Sequence, residues 1–203
     1  MLHKLVSFWL GTLAVCVVAL SAAPASAQPF YAAGEVSVAL ERGFGIHYRS
    51  ESIDPEGPGE EQDRSGTTIG LGWYGAISAL HWTRAAIDGF ITDQLSLGGS
   101  LGFYSQSGDD EGDGFLFAPR VGYAIPLSRI FTFWPRGGLT YYDINETSLL
   151  ALAGEAMFVA SPQPSWGILF GVTLDLGFTG EAGDADRTEF AMGFPAVGMM
   201  GTF

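Results

Sequence analysis

The chain has 203 residues, 22 acidic against nine basic side chains, and a formal net charge of −13. So acidic a chain excludes nucleic acid as a partner, because that binding rests on Lys and Arg neutralising phosphates. The single cysteine, Cys16, has no intramolecular partner, so the fold must hold without a disulfide.

Met1–Ala27 carries Lys4, an apolar run from Leu5 to Leu20, and a closing Ala25-Ser26-Ala27. This order predicts a bacterial-type signal peptide, residues 1–27, cleaved after Ala27. The run is short for a retained anchor. Cys16 and Lys4 would leave with it, and every basic residue that remains is an arginine. Residues 28–203 are then expected to form one domain. No later stretch approaches the length of a membrane helix. Glycine is abundant, at 29 residues, and so are aromatics, at 13%. Small residues with aromatic belts suit a narrow barrel.

The mature chain alternates. In Glu35–Tyr48, Val36, Val38, Leu40, Phe44 and Ile46 fall on one parity, with Ser37, Ala39, Glu41, Gly43, Gly45 and His47 on the other. Arg49–Gly66 is rich in Pro, Gly and acids and reads as a long loop. Thr67–Tyr74 looks extended, and Leu80–Ile91 continues or follows it. Ile91–Gln94 reads as a tight turn. Leu95–Ser105 has the clearest pattern: Leu95, Leu97, Leu101 and Phe103 on one face, Ser96, Gly98, Ser100, Gly102 and Tyr104 on the other. Period-two alternation between a greasy and a small polar face marks a strand between two unlike media. Further strands are expected over Phe115–Ile125, Ile130–Tyr142, Leu149–Ala160, Ser165–Phe178 and Thr188–Phe203. Ser107–Gly114, Asp143–Ser148 and Thr179–Arg187 read as polar or acidic loops, Pro126–Arg129 and Ser161–Pro164 as short turns.

Eight strands follow, with short connections on the side of the termini and longer acidic ones opposite. That is the layout of a small outer-membrane barrel. The predicted fold is all-β, an eight-stranded antiparallel up-and-down transmembrane β-barrel. Closure is required, since an unpaired backbone group in lipid costs about several kcal/mol. Thr67–Ile91 is long for one crossing, and a hairpin hidden there would make ten strands. Pro119, Pro135 and Pro195 fall inside strands and need bulges, because each removes a ladder donor. Trp134 falls on the inward parity.

The parity facing away from lipid carries Glu41, Arg84, Asp88, Arg120, Arg136, Glu155 and Asp175. Its opposite carries Ile87, Val121, Tyr123, Phe133, Leu139, Leu150, Leu152, Ile168, Phe170, Val172 and Leu174. An Arg on the lipid face near midplane costs about 2–4 kcal/mol. The seven charges are therefore expected to form an interior ion-pair network. An eight-stranded barrel is just wide enough for its side chains to fill. That favours a plugged lumen over a gated pore.

With its alternating last strand, VGMMGTF ending in Phe203, the chain resembles the small eight-stranded outer-membrane β-barrels of Gram-negative bacteria, the group that includes the OmpA transmembrane domain and OmpX. The resemblance covers nearly the whole mature chain and includes no periplasmic domain. It implies Phe203 as the signal read by the barrel-assembly machinery. It also implies outer-membrane lipid and lipopolysaccharide as surroundings, and a monomer.

Two further groups of residues are candidates for chemistry. His47, beside Tyr48 and Ser50, and His81, beside Trp82, read as solvated or interfacial rim residues, and His47 matches no lipid A enzyme pattern. Asp54, Glu56, Glu60, Glu61 and Asp63, and Asp109, Asp110, Glu111 and Asp113, read as solvated acidic rims, with a weak cation site as the alternative. No cofactor, metal or catalytic residue is expected. The functional expectation is a non-catalytic cell-envelope protein serving integrity or surface interaction through its outer loops, including contact with an extracellular ligand. A narrow porin-like channel for ions or small solutes is the alternative, and a lipid A-modifying enzyme a further one.

Overall fold

The computed structural model describes residues 31–55, 62–71, 78–106, 112–145, 147–182 and 185–203. Ten strand segments follow in order: β1 Val36–Pro55, β2 Gln62–Leu71, β3 Arg84–Phe90, β4 Leu95–Gln106, β5 Gly112–Tyr123, β6 Ile125–Pro126, β7 Phe131–Ile144, β8 Thr147–Gln163, β9 Trp166–Ala182 and β10 Ala185–Thr202. Among the described residues between β2 and β3, Ala79–His81 form a 3-10 turn.

The segments make one ring of eight crossings. The outer half of β1, Phe44–Ile53, pairs with β2, and its inner half, Val36–Glu41, pairs with β3. β2 and β3 are therefore two parts of one crossing that share β1 as neighbour, not a hairpin, and the ten-strand alternative falls. β6 continues β5 along β7 in the same register. β10 pairs with β1 from Ser37 to Pro55 and closes the ring. At the seam Val36 N–H donates to the Phe203 carbonyl at 3.1 Å, and Phe203 N–H to the Val36 carbonyl at 2.9 Å. Beyond Leu101, β4 pairs with β5 alone among the described residues.

Two of the three turns on the side of the termini lie where expected; the third is displaced, since Ser161–Gln163 continue β8 and the chain turns at Pro164-Ser165. Thr92 Oγ1 accepts from Leu95 N–H at 2.9 Å, and Ser128 Oγ from Phe131 N–H at 3.1 Å, each closing a tight turn. The opposite end corrects the reading. Asp143–Ser148 and Thr179–Arg187 are not open loops: β7 pairs with β8 as far as Ile144 and Thr147, and β9 with β10 as far as Ala182 and Ala185. Arg49–Pro55 and Gln62–Gly66 are likewise strand. Polar side chains hide the alternation there, but backbone pairing does not need it. Glu56, Glu60, Glu61, Asp109, Asp110 and Glu111 lie outside the described residues, as does the expected leader.

The wall is turned oil-side out. Leu97 is 48% exposed, Phe103 64% and Leu152 53%, whereas Arg120 is 8% exposed and Trp134 fully buried. A water-soluble barrel distributes these residues the other way. Apolar side chains outside and charge inside make this a transmembrane barrel, whose outer face is solvated by hydrocarbon.

Pro119, Pro135 and Pro195 each sit where the ladder to one neighbouring strand lapses. β5 and β7 pair at Phe117–Tyr141 and again at Arg120–Gly138, skipping Pro119. Pro135 falls in the gap that separates β5 from β6. Pro195 lies at the register shift between Gly193 and Ala196. A residue without an N–H is tolerated where no donor is called for.

Candidate functional site

The interior is filled in layers. At the end with the termini, Tyr31, Phe90, Ala124, Trp134, Met157, Val159, Leu169 and Met200 form an apolar floor. Trp134 belongs there and not to an interfacial belt. Its ring lies 5.6 Å from that of Phe90, and its Nε1 donates to Ser96 Oγ at 3.2 Å. The glycine at 122 makes room for it, since a Cβ there would collide with the indole nitrogen.

Above the floor lies a charged layer. Glu41, Arg84, Asp88, Arg120, Arg136, Glu155 and Asp175 are all buried. The strands bring them from six directions into one cluster. Arg120 grips two carboxylates: Glu41 through Nη1 at 2.6 Å and Nη2 at 2.9 Å, and Asp88 through Nε at 3.0 Å and Nη2 at 2.5 Å. Arg136 bridges Glu41 and Glu155, the latter at 2.7 Å. Charge-assisted forks of this kind are the strongest hydrogen bonds available to such side chains.

The layer has an eighth member, Arg42, which parity alone assigns to the oily face. The ladder between β1 and β10 shifts register between Leu40 and Phe44, and Arg42 takes a left-handed backbone, φ 54°. That bulge turns two consecutive residues, Glu41 and Arg42, inward. Arg42 then reaches Asp175 at 2.8 Å and Glu155 at 3.1 Å. The signal available in the sequence was the misfit itself: an arginine on a face otherwise held by Val36, Val38 and Leu40. With Arg42 included, four arginines face four carboxylates, and the layer is neutral in sum.

The segment Ser78–Thr83 enters the lumen above this layer. All six of its residues are buried. The Leu80 carbonyl accepts from Arg84 Nη2 at 2.8 Å and also from Arg42 Nη1, so two arginines of the layer hold the turn. Ser78 Oγ accepts from Leu80 N–H and caps it. Leu80 and Trp82 pack with Leu116, Tyr142 and Leu149 in a second apolar cluster. Leu80 is thus part of a plug, not of the strand expected over Leu80–Ile91. The two histidines are corrected as well. His47 and His81 are both buried, with ring centroids 4.5 Å apart, inside the barrel and away from a solvated rim. The reason is the same inward turn, which brings His81 over the lumen face of β1.

A smaller charged group lies nearer the loops. Arg187 Nε meets Glu51 at 2.6 Å and its Nη2 meets Glu189 at 2.8 Å; Arg49 also pairs with Glu51. Tyr142 O–H donates to Glu189 at 3.0 Å. Among the described residues, buried side chains follow one another along the bore from the floor to the outer charges. No group of three or more His, Cys, Asp or Glu among the described residues is arranged to hold a metal ion. Phe203 is largely exposed at the closing seam.

No family model and no curated protein sequence matches the chain. Among solved structures it is similar to the outer membrane protein OprG from Pseudomonas aeruginosa, at 10% identity and a TM-score of 0.46, over 85% of this chain and 97% of that one. It is similar to the N-terminal beta-barrel domain of Pseudomonas aeruginosa OprF, at 11% identity and 0.41, over 80% and 99%. A third likeness is to Ail, the attachment invasion locus protein of Yersinia pestis, at 12% identity and 0.39, over 84% and 99%.

Proposed function

We propose that this chain is an integral barrel of the bacterial outer membrane that neither catalyses a reaction nor conducts. It serves the envelope as a stable membrane body and presents its acidic outer end for surface interaction. One observation carries the reading: the eight-charge layer and the Ser78–Thr83 plug close the lumen in succession. A buried charge stripped of its partner is very costly, so a conducting path through this layer would need new partners at every step.

In the same reading Met1–Ala27 is the cleaved export signal. Phe203, at the end of a strand that alternates up to the seam, is the residue offered to the assembly machinery. Lipid and lipopolysaccharide surround a monomer.

Planar-bilayer recording of the refolded protein tests the closed lumen. A flat baseline is expected. Steady single-channel steps would overturn the reading in favour of a narrow pore. Membrane fractionation with heat-modifiable gel migration tests the location: a folded, boiling-sensitive band in the outer-membrane fraction is expected. An unchanged lipid A mass on overexpression, for wild type and His47→Ala alike, is the outcome expected of a protein without enzymatic action on lipid.

A further inference from the structure

The charged layer contains a feature its ion pairs do not explain. In the wall between β5 and β7 lies a half-open pocket of about 10 Å³, lined by Arg84, Ser100, Arg120, Arg136 and Glu155 and, toward the outer face, by Leu139. Three of these residues bring buried polar atoms without a hydrogen-bond partner: Ser100 Oγ, Arg84 Nε and Arg136 Nε. Ser100 and Arg84 are each 1% exposed and Arg136 5%. Glu155 Oε2 makes only ion-pair contacts, to Arg136 at 2.7 Å and Arg120 at 3.6 Å, and keeps a lone pair free. The cavity also abuts Pro119, where the ladder to β7 lapses for want of a donor.

Buried polar atoms without partners are rare and costly. Here the residues that carry them line a single pocket whose volume is on the order of that needed by one water. An anion fits poorly, because Glu155 lines the same space and the layer is already neutral. An apolar occupant fits worse, because it leaves every polar atom unsatisfied.

We propose that this cavity is a binding site for one structural water molecule. The water accepts from an arginine Nε–H and exchanges a hydrogen bond with the Ser100 hydroxyl. Its remaining proton goes to Glu155 Oε2. It is thereby part of the ion-pair layer, linking an arginine to Ser100 and Glu155.

High-resolution diffraction from the refolded barrel in detergent, with and without a bromide soak, tests this. One water-sized peak within hydrogen-bond distance of Ser100 Oγ is expected, with no anomalous signal. Ser100→Val should remove the peak while the Arg120–Glu41 and Arg136–Glu155 pairs stay in place. Should that variant fail to fold, Ser100→Gly leaves the arginine side of the site intact and should retain the peak. A dry cavity in the wild type overturns the proposal, and so does a bromide anomalous peak at that position.

Discussion

The floor and the charged layer occupy the same bore, a few residues apart on the same strands, yet they are held by opposite physics. Trp134 and Arg136 are two positions apart on β7. The first is fully buried among Phe90, Met157, Val159 and Leu169, and the second among carboxylates. Stability in the floor scales with apolar contact and tolerates changes of shape in proportion to the cavity left. Stability in the charged layer is a matter of pairing: removing one partner strands the others in a poorly hydrated space. The floor is held by filled volume, and the layer by charges none of which can move without leaving another behind.

Four substitutions sharpen or break that contrast, each read by urea titration of the refolded barrel. Arg120→Met should have the largest effect, about 3–5 kcal/mol, because it strands Asp88 and leaves Glu41 with Arg136 alone. Adding Glu41→Gln and Asp88→Asn should then recover at least about 1 kcal/mol. A triple variant no better than the single would mean that packing, not charge, sets the cost. Trp134→Ala should lose about 3 kcal/mol with no such rescue, since it leaves a cavity and not a charge. Leu97→Arg, on the outer face, should cost about 2 kcal/mol in lipid. A cost near zero there would contradict contact with hydrocarbon. Arg64→Ala, on an exposed side chain bonded only to Gln62 among the described contacts, should stay within about 0.5 kcal/mol.

The outer end teaches a related lesson. Alternation failed as a guide there because both faces of β1, β2, β9 and β10 are polar beyond the bilayer, and the strands continued unannounced. Acids read as loop residues, such as Asp54, Asp63 and Asp186, ride on paired strands instead. On the opposite side the Thr-Asp pair at 92–93 and the segment after Pro126 marked turns correctly, because the connections there are tight enough for turn chemistry to dominate.

What could be learned from residue order alone was whatever the period of two controls. Leu95–Ser105 separates an oily from a polar face with no help from the rest of the chain. The same rule puts Leu97 and Phe170 on one side of the wall and Arg120 and Glu155 on the other. Tertiary structure decided everything that depends on breaking that period or on meeting across the bore. The bulge at Arg42 reverses one side chain. The turn at Leu80 leaves the wall for the lumen, and His47 finds His81. The choice of Glu41 and Asp88 as partners for Arg120 follows from the shear that sets four strands at one height. A strand's alternation is local and cheap to read. A contact across a closed ring exists only once every other strand is in register.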